Sequence, residues 1–267
     1  MFNPPDNSSL IAAARTALAG GKARARLFEH DGRRYVVKRL AEQPRSWLQI
    51  VFMRWLVRRV TGQALPLRTL ALSEAAGSMG YEAGRLKRLA AAGVRVPPVV
   101  AEADDFFVLD YCGTVAASLL EKWTPAEWRA ELPRLARELG EFHAAGHWHG
   151  GAQIKNITLQ AGQSWRIDFE ENFGEFLPLA AAQTTDLLLF LNSISLAGPI
   201  DEPEARQLLP QLLAAYFQAH PEPEIRRIIA RAHPLLRRLA SLARPFRRWS
   251  KKGIRRVEIL VDLLARV

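Results

Sequence analysis

The sequence contains a single cysteine, Cys112, in 267 residues, so no disulfide can form within the chain. A chain without disulfides is typical of a reducing compartment. There is no long hydrophobic run either, because the most apolar window, residues 47–57, contains Arg54 and is shorter than the roughly 20 residues of a spanning helix. The first residues lack the basic and apolar regions of a secretory signal. These absences predict a cytoplasmic protein.

Acidic residues are scarce relative to basic ones: 27 Asp and Glu stand against 37 Lys and Arg, a formal net charge of +10. Such an excess favours an anionic partner, which could be a nucleotide, a nucleic acid or membrane headgroups. Nucleic acid stays a candidate partner, although the sequence contains no nucleic-acid readout motif, zinc-ligand spacing or aromatic RNA-binding strand. Hydrophobic residues make up 49% and charged residues 24%, as in ordinary folded proteins.

The order of predicted elements indicates an α+β fold. Alternating residues flank Asp31-Gly32, a strong hairpin signal, and a long helix follows over residues 74–92. Short strands are predicted at residues 99–101 and 106–111. From the capping box that begins at Thr124 the chain is mostly helical, with one small strand pair near residues 157–169. We place the domain boundary at Gly113, which gives an N-lobe of residues 1–113 and a helical C-lobe of residues 114–267.

Four features in fixed order suggest phosphoryl transfer from ATP. They are Lys38 on a strand, Glu82 on the following helix, the loop HGGAQIKN (residues 149–156) and the segment IDFE (residues 167–170). Each is common by itself: a lysine that ends a strand is usually a solvated charge. Together they supply a phosphate-binding lysine held by a glutamate, and the Asn and Asp oxygens that suit magnesium.

These motifs resemble the protein-kinase-like superfamily, especially its bacterial lipopolysaccharide (Kdo/heptose) kinases and their RIO and KEOPS-type relatives. The resemblance covers residues 22–195. It implies a two-lobed kinase-like fold, with a small antiparallel sheet plus helix in the N-lobe and a mainly helical C-lobe, binding ATP and magnesium between the lobes. The segments that carry it are YVVKRL, YEAGRLKRLAAAGVRVPPVV, FFVLDYCG, HGGAQIKN, IDFE and TTDLLLFL.

The resemblance assigns roles to the residues of the nucleotide site. Lys38 would contact the α- and β-phosphates and Glu82 would pair with it. Asn156 and Asp168 would hold magnesium.

The same resemblance places Asp110, Tyr111 and Cys112 at the adenine hinge, where they would contribute mainly backbone groups. His149 matches a loop histidine that is structural in the family. Asp186, in TTDLLLFL, matches an aspartate that braces the catalytic loop.

Three positions depart from the family pattern. Gly151 stands where the family has its catalytic aspartate, and Glu170 stands where it has a glycine. Residues 20–22 (Gly-Gly-Lys) are the only candidate for the phosphate-covering loop, although paired glycines there are also typical of a helix end.

Loss of a general base typically costs about 10²- to 10⁴-fold in rate, so transfer could survive without the aspartate. Substitute bases could be Glu170, Glu171 or His147, although loop-bracing roles suit them too. Because Gly150 and Gly151 form a pair, we expect a backbone approach that only glycine permits, so that Gly151→Asp would reduce activity.

Two basic segments indicate a membrane surface. Residues 45–68 contain five arginines and no acidic residue, and residues 244–256 contain seven basic residues and no acidic one. Tryptophans interleave with these cations, as on interfacial amphipathic helices. The alternative is a solvated basic face that covers the protein.

The sequence therefore predicts an ATP- and Mg-dependent phosphotransferase that is peripheral on the inner membrane face. Its acceptor would be a sugar or lipid-linked hydroxyl of the lipopolysaccharide-core type, or a protein Ser/Thr. The alternative is a nucleotide-binding pseudokinase that acts as a scaffold or regulator. Gly151 favours the alternative, and the retained Lys38, Glu82, Asn156 and Asp168 favour the enzyme.

Overall fold

The structure of the chain is a computed structural model that describes residues 7–40, 51, 54–55, 57–59, 80–243 and 251–266. The chain forms two compact units. The sheet unit comprises Met1–Arg45, Ala71–Gly113 and Thr158–Glu170, and the helical unit comprises Ser46–Leu70, Thr114–Ile157 and Glu171–Val267. The domain boundary proposed at Gly113 stays a prediction.

The described helices and strands follow one another in an order that places most strands early and most helices late. They are α1 (Ser8–Ala19), β1 (Ala25–His30), β2 (Arg33–Arg39), α2 (Tyr81–Ala91), β3 (Val99–Glu102), β4 (Phe106–Asp110), β5 (Thr114–Val115), α3 (Ala116–Leu120), α4 (Pro125–Ala144), β6 (Ile157–Gln160), β7 (Gln163–Arg166), α5 (Leu179–Ile194), α6 (Glu202–Ala219), α7 (Pro223–Ala243) and α8 (Lys251–Leu264), with 3₁₀ turns at Ile154–Asn156 and Phe173–Glu175.

The sheet unit is built on a four-stranded sheet in the order β1-β2-β4-β3, with every neighbouring pair antiparallel. β1 and β2 form the predicted hairpin, because Asp31 and Gly32 both adopt positive φ and His30 pairs with Arg33. Helix α1 packs on one face of this sheet, where Leu10, Ala14 and Leu18 join a core with side chains of β2 and β4. The opposite face of β2 is thereby left for Lys38, since successive side chains of a strand alternate.

A second hairpin, β6 and β7, belongs largely to the sheet unit. Arg95, in the extended segment after α2, fastens it: its backbone carbonyl accepts from the Arg166 N–H at 3.1 Å and its guanidinium donates to the Ser164 carbonyl at 3.0 Å. The chain emerging from β7 into residues 167–170 is therefore fixed to the sheet unit.

The helical unit contains two helices that begin with the same capping motif. At α4 the Thr124 side chain accepts from the Glu127 N–H, and the Glu127 carboxylate accepts from the Thr124 N–H. Asp201 and Glu204 repeat the arrangement at α6. Each box satisfies N–H groups that would otherwise lack partners at the helix start. The core of this unit comes from buried faces of α4, α5 and α6, including Leu139, Leu187, Phe190, Leu212 and Tyr216.

The fold class predicted from the sequence is confirmed: the protein is α+β, with small antiparallel sheets early in the chain and a helical later part, as in a two-lobed kinase-like fold. Most of the first basic segment and residues 244–250 of the second lie outside the described residues. None of the helices in the described part of the chain is both long and apolar enough to cross a membrane.

Candidate nucleotide site

Lys38 lies near the end of β2 with only 7% of its surface exposed. Its Nζ atom lies 2.8 Å from Glu82 Oε1 and 2.7 Å from Glu82 Oε2, contacts Asp168 Oδ1 directly, and lies 3.9 Å from Glu170 Oε2. The sheet unit therefore brings together three of the site residues predicted from sequence, and adds Glu170 to them.

Electrostatics keep Lys38 charged at this site. Burial by itself lowers the pKa of Lys38, but the negative charges of Glu82 and Asp168 outweigh burial and raise the pKa above its ordinary value. Glu82 lies in the first turn of α2, where the helix dipole favours a carboxylate. Burial nevertheless raises the pKa of Glu82, against the lowering effect of the Lys38 ammonium.

Asp168 has an unusual backbone conformation. Its φ is +69°, in the left-handed region that non-glycine residues seldom occupy and that costs roughly 1–3 kcal/mol. The next residue, Phe169, is completely buried, and the Arg85 guanidinium lies 5.0 Å from its ring centroid. The packing of Phe169 stabilises this turn. The Asp168 carboxylate therefore contacts Lys38, although the left-handed conformation of Asp168 costs free energy.

Arg24, which the sequence reasoning did not single out, also belongs to this cluster. It lies one residue before β1, and its guanidinium contacts the Glu170 carboxylate directly. The two side chains are about a quarter to a third exposed. The signal that could have found the pair is the glutamate at a position where the family has glycine.

The carboxylates of the cluster fit a hard divalent cation in their chemistry. One oxygen each from Glu82, Asp168 and Glu170 lies within 4.8 Å of the others. Anionic oxygens are the ligands that Mg²⁺ prefers. Asp168 has the most exposed side chain of these three carboxylates, at 32%.

Several backbone groups of the predicted hinge, Asp110 to Cys112, form hydrogen bonds within the protein. The Asp110 N–H donates to the Pro98 carbonyl at 3.0 Å, and the Tyr111 N–H donates to the Arg34 carbonyl at 3.2 Å. The Cys112 carbonyl accepts from the Thr158 hydroxyl at 2.7 Å. The Cys112 N–H makes no backbone hydrogen bond among the described residues.

The side chains of Tyr111 and Cys112 in the predicted hinge differ in their surroundings. Arg34 stacks over the Tyr111 ring at 4.2 Å, and both line a cavity of about 340 Å³. Burial, reinforced by Asp110, raises the pKa of Cys112 to about 12, so the thiol is not a nucleophile at neutral pH.

The loop of residues 149–156 lies in the helical unit and is held by Asp186. This carboxylate is fully buried and accepts from the N–H groups of His149 at 2.5 Å and Gly150 at 2.8 Å. Asn156 closes the loop, because its Nδ2 donates to the Gly151 carbonyl at 2.8 Å. His149 is 1% exposed, and its Nδ1 atom accepts from the Gly151 N–H at 3.1 Å. This hydrogen bond lies within the loop itself.

A buried polar network continues behind Asp186, and the sequence reasoning missed it. The Nε2 atom of His143 lies 3.5 Å from Asp186 Oδ2, and its Nδ1 atom forms a 2.7 Å hydrogen bond with the Tyr216 hydroxyl. Gln183 donates to the carbonyls of His143 and His147. Burial opposes ionisation of Asp186, but its interactions with His143 and His149 outweigh it, and the pKa of Asp186 is lowered.

The two loop glycines are not equivalent. Gly150 has φ +98°, and a Cβ there would lie 2.7 Å from the Glu171 Cβ, so glycine is required. Gly151 has no positive φ, and the nearest atom to an added Cβ would be Asn156 Nδ2 at 3.4 Å. Contacts within the protein therefore do not require glycine at position 151, and the close approach of a ligand to the Gly151 backbone stays a prediction.

The site residues predicted from sequence thus fall into two groups. Lys38, Glu82 and Asp168 meet in the sheet unit, where the hinge residues also lie. His149, Gly151 and Asn156 share one loop of the helical unit. Their roles in binding stay predictions.

Comparison with known proteins finds similarity to the KEOPS complex subunit Bud32 of Pyrococcus abyssi. The two chains are 37% identical over 112 residues, which is 40% of this chain and 50% of the relative. The chain therefore matches only half the length of that protein. No family model matches the chain. The similarity supports the resemblance to the kinase-like superfamily, in which the motifs had pointed to KEOPS-type relatives among others.

Proposed function

We propose that this protein binds ATP with magnesium and is an atypical kinase that transfers the γ-phosphoryl group to an alcohol. The observation that carries the proposal is the buried contact of Lys38 with both Glu82 and Asp168. A lysine held by a helix glutamate, beside a cation-binding aspartate, is what phosphoryl transfer requires. The similarity to Bud32, a subunit of the KEOPS complex by its name, supports the same class.

Each residue has a defined task in this proposal. Lys38 binds the α- and β-phosphate oxygens, and Glu82 keeps its ammonium oriented. Asp168 and Asn156 are the residues that would hold magnesium, which when bound neutralises charge on the phosphates. Adenine would meet the hinge through backbone groups, with the Cys112 N–H as donor.

We further propose a sugar or lipid-linked hydroxyl as the acceptor, at the inner face of the membrane. The support is the net charge of +10 and the two basic, tryptophan-bearing segments. A protein Ser/Thr is the nearest variant of this acceptor.

A nucleotide-binding pseudokinase is the second candidate, and Gly151 favours it. No side chain at that position can accept the proton of an attacking hydroxyl. Such a protein would bind MgATP through the same cluster without transferring phosphate, so a transfer assay with purified protein and candidate sugar, glycolipid and peptide acceptors separates the two candidates.

MgATP should raise the melting temperature of the protein. A ligand present at 100 times its dissociation constant stabilises the native state by about 2.7 kcal/mol, which shifts the transition by several degrees. Asp168→Asn should remove most of the magnesium-dependent increase in melting temperature. The variant should keep the fold, because asparagine tolerates the left-handed φ of +69°. The measurement is thermal unfolding with ATP, with and without Mg²⁺.

Asp104→Asn is the matched control, since it makes the same chemical change at an exposed residue of the sheet unit. It should behave like wild type. If millimolar MgATP leaves the wild-type melting temperature unchanged, the nucleotide-site proposal fails.

Binding to anionic liposomes should fall steeply with added salt. Each cation near an anionic surface contributes about 1 kcal/mol, and salt screens it within a Debye length. Replacing Arg247, Arg248, Lys251 and Lys252 together by Gln should weaken cosedimentation and leave MgATP affinity unchanged, and Trp249→Ala should weaken it further. Neutral liposomes are the control. Cosedimentation that ignores lipid charge would contradict the membrane proposal.

A further inference from the structure

The two glycines that could have covered the phosphates form a helix end instead. Gly20 ends α1, and the guanidinium of Arg26 donates to the carbonyls of Ala17 at 2.8 Å and Gly20 at 3.0 Å. A Cβ on Gly20 or Gly21 would lie only 2.4 or 2.6 Å from that guanidinium. The glycines therefore admit an arginine that neutralises the negative end of the helix.

Arg39 reinforces the same helix end. Its guanidinium donates to the Leu18 carbonyl at 2.5 Å and the Gly21 carbonyl at 3.2 Å. Carbonyls of residues 17, 18, 20 and 21 thus accept from arginines of β1 and β2. Backbone held in this way is not free to close over a phosphate chain.

Immediately after this helix end, an arginine contacts the residue that departs from the family pattern in the metal loop. Arg24 lies where the chain enters β1, and it contacts Glu170, the residue that replaces the family's glycine. The same Glu170 oxygen lies 3.9 Å from Lys38 Nζ. The Arg24 guanidinium is therefore a second cation attached to the cluster that holds Lys38.

Geometry and charge suit this arginine to phosphate. A guanidinium presents five N–H donors in a planar fork, so pairing with one carboxylate leaves donors for another anion. Arg24 is 30% exposed on its side chain, whereas Lys38 is only 9% exposed. Glu170 fixes the orientation of Arg24 before any ligand arrives, which reduces the entropy lost on binding.

We propose that Arg24, positioned by Glu170, binds the phosphate oxygens of the nucleotide in place of the backbone amides of a glycine-rich loop. The inference rests on the proposed function and explains two sequence departures as one feature. Arg24 is the binding residue, and Glu170 is a positioning residue that acts through it.

The experiment measures the affinities of MgATP and AMP by calorimetry for wild type, Arg24→Ala, Arg24→Lys and Lys22→Ala. Arg24→Ala should weaken MgATP binding roughly 10- to 100-fold, the range for losing a charge-assisted hydrogen bond, with AMP affinity little changed. Arg24→Lys should fall between, because it keeps the charge and loses the fork. Lys22→Ala, an exposed neighbour of the same charge, should match wild type.

Glu170→Gln tests the positioning role by a double-mutant cycle. Without the carboxylate the guanidinium is no longer held, so Arg24→Ala should cost less MgATP affinity in this background than in wild type. An equal cost in both backgrounds would overturn the role of Glu170. Thermal unfolding of each variant checks that the fold is intact.

The remaining outcomes overturn the proposal in distinguishable ways. Arg24→Ala with unchanged affinity, or Lys22→Ala with an equal loss, would show that Arg24 has no specific role. Tighter MgATP binding in Arg24→Ala would show that the Arg24–Glu170 pair obstructs nucleotide binding instead of contributing to it. A wild type that does not bind MgATP would remove the nucleotide site itself, and this inference with it.

Discussion

Asp186→Ala should lower the free energy of unfolding by about 3–5 kcal/mol, the range for breaking a buried network by removing one charged partner. The carboxylate is 0% exposed and accepts from two backbone N–H groups, those of His149 and Gly150. Alanine would leave both donors buried without an acceptor, and each such donor costs about 1–3 kcal/mol. The measurement is urea unfolding followed by circular dichroism.

The stability that Asp186 contributes should depend on pH with a definite sign. Because its folded pKa is lowered, its contribution is fully present above the ordinary Asp value of about 3.9 and is lost as the pH falls towards the folded pKa. The free energy of unfolding of the wild type should therefore decrease as the pH falls from about 3.9 towards the folded pKa. The free energy of unfolding of Asp186→Ala should decrease less over the same range.

Asp201→Ala is the matched control in the same unit. Asp201 caps α6 at an exposed position, so its loss should cost only about 1 kcal/mol. An Asp186→Ala variant that is destabilised no more than Asp201→Ala would contradict the view that Asp186 holds the loop of residues 149–156.

Local features of the fold were predictable because their causes are local. Asp31-Gly32 specifies its hairpin through two positive φ angles, and Thr124 with Glu127 specifies the start of α4 through reciprocal hydrogen bonds. Lys38 and Glu82 could be paired only through the order of the family motifs, since 44 residues separate them.

Features that depend on distant parts of the chain were not predictable. The Arg24–Glu170 contact joins residues 146 positions apart, and the hydrogen bond between His143 and Tyr216 joins residues 73 apart. Arg24, His143 and Tyr216 have no sequence pattern of their own, and Glu170 stands out only because it replaces the glycine of the family. The two loop glycines could not be told apart for a different reason: adjacent glycines look alike in a sequence, whereas only Gly150 adopts a positive φ.

From contacts within the protein alone, Gly151→Asp should raise phosphoryl transfer, by up to about 10²- to 10⁴-fold if the new carboxylate acts as the general base. This direction is opposite to the one that the glycine pair predicts from the sequence. The backbone permits the change, because Gly151 has no positive φ and an added Cβ makes only ordinary contact with Asn156 Nδ2 at 3.4 Å. The hydrogen bonds of the loop to Asp186 do not involve the Gly151 side-chain position, so the loop should persist. The measurement is γ-phosphate transfer or ATP hydrolysis by the purified variant.

Two further variants distinguish the effect of a general base from the effect of a larger side chain. Gly151→Asn has the size of aspartate without its basicity, so it should show little of the gain. Gly150→Ala, by contrast, should be destabilised, since its φ of +98° and the Glu171 Cβ at 2.7 Å leave no room for a methyl group. A Gly151→Asp protein that is folded, binds MgATP and yet is slower than wild type would show that a bound ligand, rather than the protein, requires glycine at this position. The missing aspartate would then be part of how this site binds its substrate.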